Sequence, residues 1–280
     1  MGSGMNDLLL QGSNIAVVFF VVSSTLAVGL GLTVGQILAP LKNTRLVALA
    51  LAANFVLAPL AAFGLWQVLD LDDPLGIGLL LCGLAAGAPF LIKLAEFAKA
   101  DMAFAVGLMV LLMVVTVGYV PLILPMFVSG AAVNPAQIAI SLVVLMLIPL
   151  AAGLLLRARG PGVATRLQPV IAKVSTVSMI LVIVFTIAAH FNSVLSVFGT
   201  FGILAAIIYT VICAGIGWLM GGPGTREVVA LATAQRNAAA AFVVAGQNFD
   251  DPKVVVMITV VLIVEFVMLL PFARLLARNR

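Results

Sequence analysis

Apolar residues occupy this chain in long blocks, at about 14–38, 45–69, 75–99, 101–128, 136–157, 170–192, 197–220, 226–248 and 253–277, joined by short polar segments. A helix needs roughly 20 apolar residues to cross about 30 Å of hydrocarbon, and each block has that length. The pattern therefore predicts an all-α integral membrane protein with nine transmembrane helices. An odd count places the two termini on opposite sides of the membrane, so the loop charges should fall into two alternating sets. One set carries Lys42, Arg45, Lys99, Arg157, Arg159, Arg166, Arg226, Arg274, Arg278 and Arg280. The other carries Asp7, Asp70, Asp72, Asp73, the uncharged loop near Asn134, the segment at His190, and Asp250, Asp251 and Lys253. Lysine and arginine concentrate in cytoplasmic loops. That puts the N-terminus outside, the C-terminus in the cytoplasm, and the chain in the inner (plasma) membrane.

Two blocks are interrupted. In "GLAAGAPFLIKLAEFAKAD", residues 83–101, Gly83, Gly87 and Pro89 precede Lys93 and Glu96, and the helix should break near its middle. Proline removes a backbone donor and clashes with the preceding turn, and the freed carbonyls cannot face lipid. The other block contains "LATAQRNAAAAFVV", residues 231–244, with Gln235, Arg236 and Asn237 at mid-span. An arginine at bilayer depth costs at least about 2.5–3.5 kcal/mol, and snorkelling does not rescue one so far from either end. Arg236 must face the interior. Each interrupted helix is followed by one more span before its half of the chain ends, with 157–169 as the divide. Paired interruptions of this kind mark an inverted-repeat transporter with its site where the broken helices meet.

Composition narrows the class further. With 64% hydrophobic and 9% charged residues, the chain has too little polar surface for a water-soluble globule of its size. The sequence pI of about 9.4 reflects cytoplasmic loops rather than a nucleic-acid partner. Cys82 and Cys213 lie in apolar runs and suggest neither a disulfide nor a metal site. Residues 1–13 are expected to form an appended Met-Gly-Ser-Gly leader and a short extracellular N-terminus, and 14–280 a single membrane domain without a cleaved signal. There is no phosphate-binding loop or metal-ligand spacing, and "GGPGTRE" at 221–227 lacks the Gly-Lys-Ser/Thr ending of a P-loop. The chain is not expected to be an enzyme.

The runs "PFLIKLAEFAKADMAFAVGLMVLLMVVT" at 89–116 and "ATAQRNAAAAFVVAGQNF" at 232–249 resemble bacterial members of the bile acid:sodium symporter family. The similarity covers nearly the whole chain from about residue 14 and is most specific at Ala98, Lys99 and Asp101 and at Arg236-Asn237. It implies two discontinuous helices that cross, a core domain (about 45–128 and 197–277), a panel domain (about 14–38 and 136–192), and alternating access by their relative motion. Many bacterial members have one helix more, so the chain resembles a form without the first.

The departures are chemical. Sodium-coupled members place oxygen ligands at both crossovers, and ungapped matching puts Leu91 and Ile92, Ala105 and Met109, and Ala232 and Arg236 at those positions. Two cations, Lys93 and Arg236, stand in or beside the vacated places and are expected to replace two bound sodium ions as tethered charges, so the substitutions argue against a sodium cofactor. The candidate substrate-binding residues are Lys93, Arg236, Asn237, Gln235, Pro89 and Thr116, with Arg236 meeting a carboxylate or sulfonate through two parallel hydrogen bonds. Glu265 and Glu96 are candidate charge partners or proton carriers.

A structural reading stands beside this one. Lys93 and Arg236 could instead pair with Glu96, Asp101 or Glu265 to hold the crossed helices. Asn237, Gln235 and Gln247 could bind substrate or satisfy broken-helix backbone, and Tyr119 and His190 fit packing and interfacial positions. The expected function is secondary transport of a small organic anion across the bilayer. The alternatives are a sodium symporter with relocated ion sites and a non-transporting receptor or scaffold.

Overall fold

The computed structural model describes residues 2–38, 42–128 and 134–278. Met1 and Arg280, at the ends of the expected leader and the basic tail, lie outside them. The described residues form fifteen α-helical segments and no strand: α1 (Gly2–Gly31), α2 (Val34–Leu38), α3 (Thr44–Ala52), α4 (Ala58–Val68), α5 (Asp73–Leu84), α6 (Leu91–Phe97), α7 (Met102–Phe127), α8 (Pro135–Leu142), α9 (Ile148–Arg159), α10 (Pro161–Ala189), α11 (Phe191–Phe198), α12 (Gly202–Met220), α13 (Arg226–Ala234), α14 (Ala238–Asn248) and α15 (Pro252–Arg278).

Among the described residues, eight helical spans are long and apolar enough to cross a membrane. The block at 75–99 is not one of them, because it splits into the 12-residue α5 and the 7-residue α6. The first block also differs from its expected limits: α1 begins at Gly2, ends at Gly31, and is followed by the separate α2. The sixth block is longer than its apolar core, since α10 starts at Pro161, an N-terminal position that proline favours.

Two spans contain a single π turn, Ala53–Leu57 between α3 and α4 and Val143–Leu147 between α8 and α9. Each precedes an X-Pro pair, Ala58-Pro59 and Ile148-Pro149. Proline has no N–H to return to the turn before it, and the helix widens locally to absorb the defect.

The helices pack in two groups that touch. In one, α1 lies along α9 and α10. Its contact with α9 is made through glycine on both sides, since a Cβ on Gly29 would stand 2.3 Å from the carbonyl oxygen of Leu150. The other group packs α13 on α12, α5 on α4 and α15, and α6 on α7. The span 226–248 is buried over its whole apolar window, whereas only 17% of the α10 window is buried. The mid-span arginine therefore never meets lipid.

Candidate functional site

The two breaks cross at the centre of the second group. Helix α5 ends at Leu84, and the chain runs extended to Pro89 through Gly87, whose φ is +81°. A Cβ there would lie 2.2 Å from the Met113 backbone nitrogen, so glycine meets both a left-handed turn and a close backbone approach to α7. Thr116 on α7 holds the same stretch in both directions: its hydroxyl donates to the Ala86 carbonyl at 3.0 Å and accepts from the Ala86 N–H at 2.9 Å. In the second break, Asn237 caps α14 by accepting from the Ala240 N–H at 3.1 Å. It also ties the breaks together, its N–H donating to the Ala85 carbonyl at 3.0 Å and its amide to the Gly87 carbonyl at 3.1 Å.

Arg236 is the largest fully buried side chain. A guanidinium has five N–H donors, and all five find oxygen within the protein. Nε donates to the Cys82 carbonyl (2.9 Å), one terminal nitrogen to Asn54 Oδ1 (2.8 Å) and the Thr233 carbonyl (3.1 Å), and the other to the Asn54 carbonyl (3.3 Å) and the Gly83 carbonyl (2.7 Å). Each acceptor has a local cause. The carbonyls of Cys82 and Gly83, and that of Thr233, lie in the last turns of α5 and α13, where helix carbonyls lack intrahelical partners and the helix dipole is negative.

The Asn54 carbonyl is released by Pro59. The Ala58 N–H bonds to Ala53, and the next residue, Pro59, has no N–H to offer. The same proline frees the Phe55 carbonyl, which accepts from the Tyr119 hydroxyl. Asn54 is wholly buried, and its amide is fixed by the Ala50 carbonyl (2.9 Å) and the Thr233 hydroxyl (3.1 Å).

Several expectations are corrected by this geometry. The Arg236 guanidinium has no donor left for a substrate, because its fork is spent on carbonyls of the crossing. Nor does it pair with Glu265, whose carboxylate instead accepts from the Arg236 backbone N–H, at 3.1 Å to each oxygen. Thr116 is buried, and its hydroxyl bonds the Ala86 backbone in both directions. Lys93 is not in the crossing: its side chain is 61% exposed and bonded to Glu96 at 2.7 Å. The reason is local, because α6 turns Leu91, Leu94 and Ala95 inward and leaves Lys93 and Glu96 on its open face. Asp101, the other offered partner, accepts from the Phe104 N–H as the N-cap of α7. Asn54 was missed by the sequence reading; its signal is an asparagine deep in an apolar run, five residues before a proline.

Beside the crossing, between α1 and α10 on one side and α6 and the two breaks on the other, lies a cavity of about 640 Å³. Pro89, Lys93, Gln235, Arg236, Asn237, Ala238 and Ala239 reach its wall, together with Ser24, Gln168, Ser175 and Thr176. The cavity wall also includes Gly31 and Leu32 at the end of α1. An exposed ion pair such as Lys93–Glu96 contributes only about 0–1 kcal/mol. Lys93→Ala should therefore leave the thermal unfolding midpoint almost unchanged.

Eight apolar spans, two crossing helix breaks that close on a buried arginine and an adjoining cavity describe a polytopic helical membrane protein. Residues 17–216 match the sodium bile acid symporter family, and the chain belongs to that family of transporters. A curated relative is the "Probable sodium/metabolite cotransporter BASS3, chloroplastic" of Arabidopsis thaliana, 23% identical over 238 residues that make up 82% of this chain and 55% of the relative. The chain thus spans about half the length of that curated relative.

Proposed function

We propose that this protein is a secondary transporter of a small organic anion, working by alternating access without a bound sodium ion at the crossing. In this reading nine spans place the N-terminus outside. The group around α1, α9 and α10 moves as a panel against the group holding the crossed breaks. The anion enters the cavity beside Lys93 and the start of α14, where a helix N-terminus favours negative charge.

One observation carries the reading: five protein oxygens from three chain segments converge on the Arg236 guanidinium. A cage of carbonyl and amide oxygens is what a hard cation needs in place of its water shell. Here a cation belonging to the chain occupies it. The second reading, sodium-coupled symport, is favoured by the name of the Arabidopsis relative.

Exchanging sodium for potassium at constant ionic strength separates the two. The unfolding midpoint of the protein, and its shift by a screen of carboxylates and sulfonates, should not change. A sodium-specific tightening of tenfold or more, a coupling of about 1.4 kcal/mol, would sink the tethered-cation reading and favour the symporter.

A further inference from the structure

Next to the crossing, a narrow void is lined by Phe90, Leu94, Gln235, Glu265, Phe266 and Leu269. Its polar side chains are those of Gln235 and Glu265, which are 4% and 2% exposed. The Gln235 Oε1 is buried and has no hydrogen-bond donor. An orphaned buried acceptor of this kind needs a donor, and an ionised Glu265 is acceptor-only and cannot supply one. A neutral carboxyl carries one O–H. Each Glu265 oxygen already accepts from the Arg236 backbone N–H, and the five guanidinium donors are used elsewhere, so Arg236 meets this carboxyl through its backbone and not through a side-chain ion pair. The void also borders the cavity, because Phe90, Gln235 and Phe266 line both. The rings of Phe90 and Phe266 meet edge to face at 4.6 Å and form the apolar part of that shared wall, and Gln235 forms its polar part.

The geometry points to Glu265 as a proton-binding site: its carboxyl O–H is donated to Gln235 Oε1, and the proton exchanges directly with water of the cavity when the Gln235 side chain turns aside. One proton is gained by the carboxylate from cavity water and returned to it, with no other bond made or broken. The groups facing Glu265 are consistent with a site that can empty and fill. Arg236 lies beside it, Cys82 on α5 and Cys213 on α12 are near enough to interact with it, and Tyr209, one turn before Cys213 on α12, is buried with a hydroxyl that has no hydrogen-bond partner among the described residues. From α6 the void receives Phe90 and Leu94, while Lys93 and Glu96 occupy the exposed face of that helix. This deepens the transport reading by assigning the exchangeable cation as H⁺, and it rests on that reading for a water-filled cavity.

Infrared difference spectroscopy of the purified full-length protein tests it directly, without a transported anion. The wild type should show a carboxylic-acid C=O band at neutral pH that shifts on transfer to D2O and is missing in Glu265→Gln. Gln235→Leu keeps the carboxyl but removes its acceptor. The band should move to higher wavenumber, and its pH midpoint should fall by about one unit, a tenfold weaker hold on the proton.

Absence of the band in the wild type, or its survival in Glu265→Gln, would overturn the site. A band that does not respond to D2O would overturn the exchange with the cavity, and an unchanged band in Gln235→Leu would overturn the role of Gln235. If Glu265→Gln fails to fold, the wild-type and Gln235→Leu spectra decide alone. A sodium-specific stabilisation in the salt-exchange measurement would reject the tethered-cation reading and leave the proton assignment standing.

Discussion

On the proposed reading, Arg236→Gln should make the stability of the protein depend on sodium. The substitution removes the guanidinium from five oxygens that have nowhere else to turn: the carbonyls of Asn54, Cys82, Gly83 and Thr233, and the Asn54 amide oxygen. Each buried polar group left unpaired costs about 1–3 kcal/mol. The sum is on the order of the roughly 5–15 kcal/mol that a folded protein has in total. In potassium or choline the variant should therefore aggregate or unfold far below the wild type. In sodium the emptied oxygen cage should take up the ion, and the unfolding midpoint should recover in proportion to the logarithm of sodium concentration. Arg236→Lys should fall between, since an ammonium keeps the charge but has three donors for five acceptors. Asn54→Ala removes one acceptor and the link to Thr233, so combining it with Arg236→Gln should be less than additive. Equal stability of Arg236→Gln in sodium and potassium would show that the cage collapses rather than binds.

The second large effect is expected at Gly87. Alanine there must hold a φ of +81° and place its Cβ 2.2 Å from the Met113 nitrogen and 2.7 Å from the Met109 carbonyl oxygen. The left-handed backbone alone costs about 1–2 kcal/mol. The clash is with backbone of α7, which cannot rotate aside, so the first break must shift away from it. That shift would pull Ala86 from Thr116 and the Gly87 carbonyl from Asn237. Gly87→Ala should consequently lower the unfolding midpoint more than Gly64→Ala, a glycine whose added Cβ meets nothing within 4 Å. Size-exclusion profiles and thermal unfolding of the two variants side by side measure the difference.

The helical membrane class and the positions of both interruptions were legible because they depend on local chemistry, while the count of nine spans was not matched by the eight long apolar helices. Runs of apolar residues set the helices, and Gly87-Ala88-Pro89 and Gln235-Arg236-Asn237 set the breaks. Burial of Arg236 was also legible, from the cost of a charge in lipid. Its partners were not. A mid-span guanidinium can be satisfied by water and a ligand or by protein carbonyls, and the residues that decide between these lie 153, 154 and 182 positions away.

Lys93 and Arg236 look alike as intramembrane cations, yet α6 is so short that Lys93 sits on its open face with Glu96 three residues on. Thr116 looked like a weak polar candidate at the end of an apolar run. The two-way bond to Ala86 that absorbs it requires the extended stretch after α5, whose path only the packed structure fixes. For Asn54 the cue was present, in Pro59 five residues later, but a proline within an apolar run predicts a disturbed helix without saying which distant donor takes the freed carbonyl.

A charge that belongs to the chain cannot leave with the cargo. A sodium ion released on the far side would offset the charge of an anion carried with it; on the proposed reading the Arg236 guanidinium, held by five oxygens, would return with the empty protein. On the proposed reading each anion therefore crosses electrically bare unless a proton accompanies it. The membrane voltage then acts on transport at about 2.3 kcal/mol per charge per 100 mV. An interior-negative potential of that size opposes uptake of a monovalent anion by roughly fiftyfold at equilibrium and assists its export by the same factor.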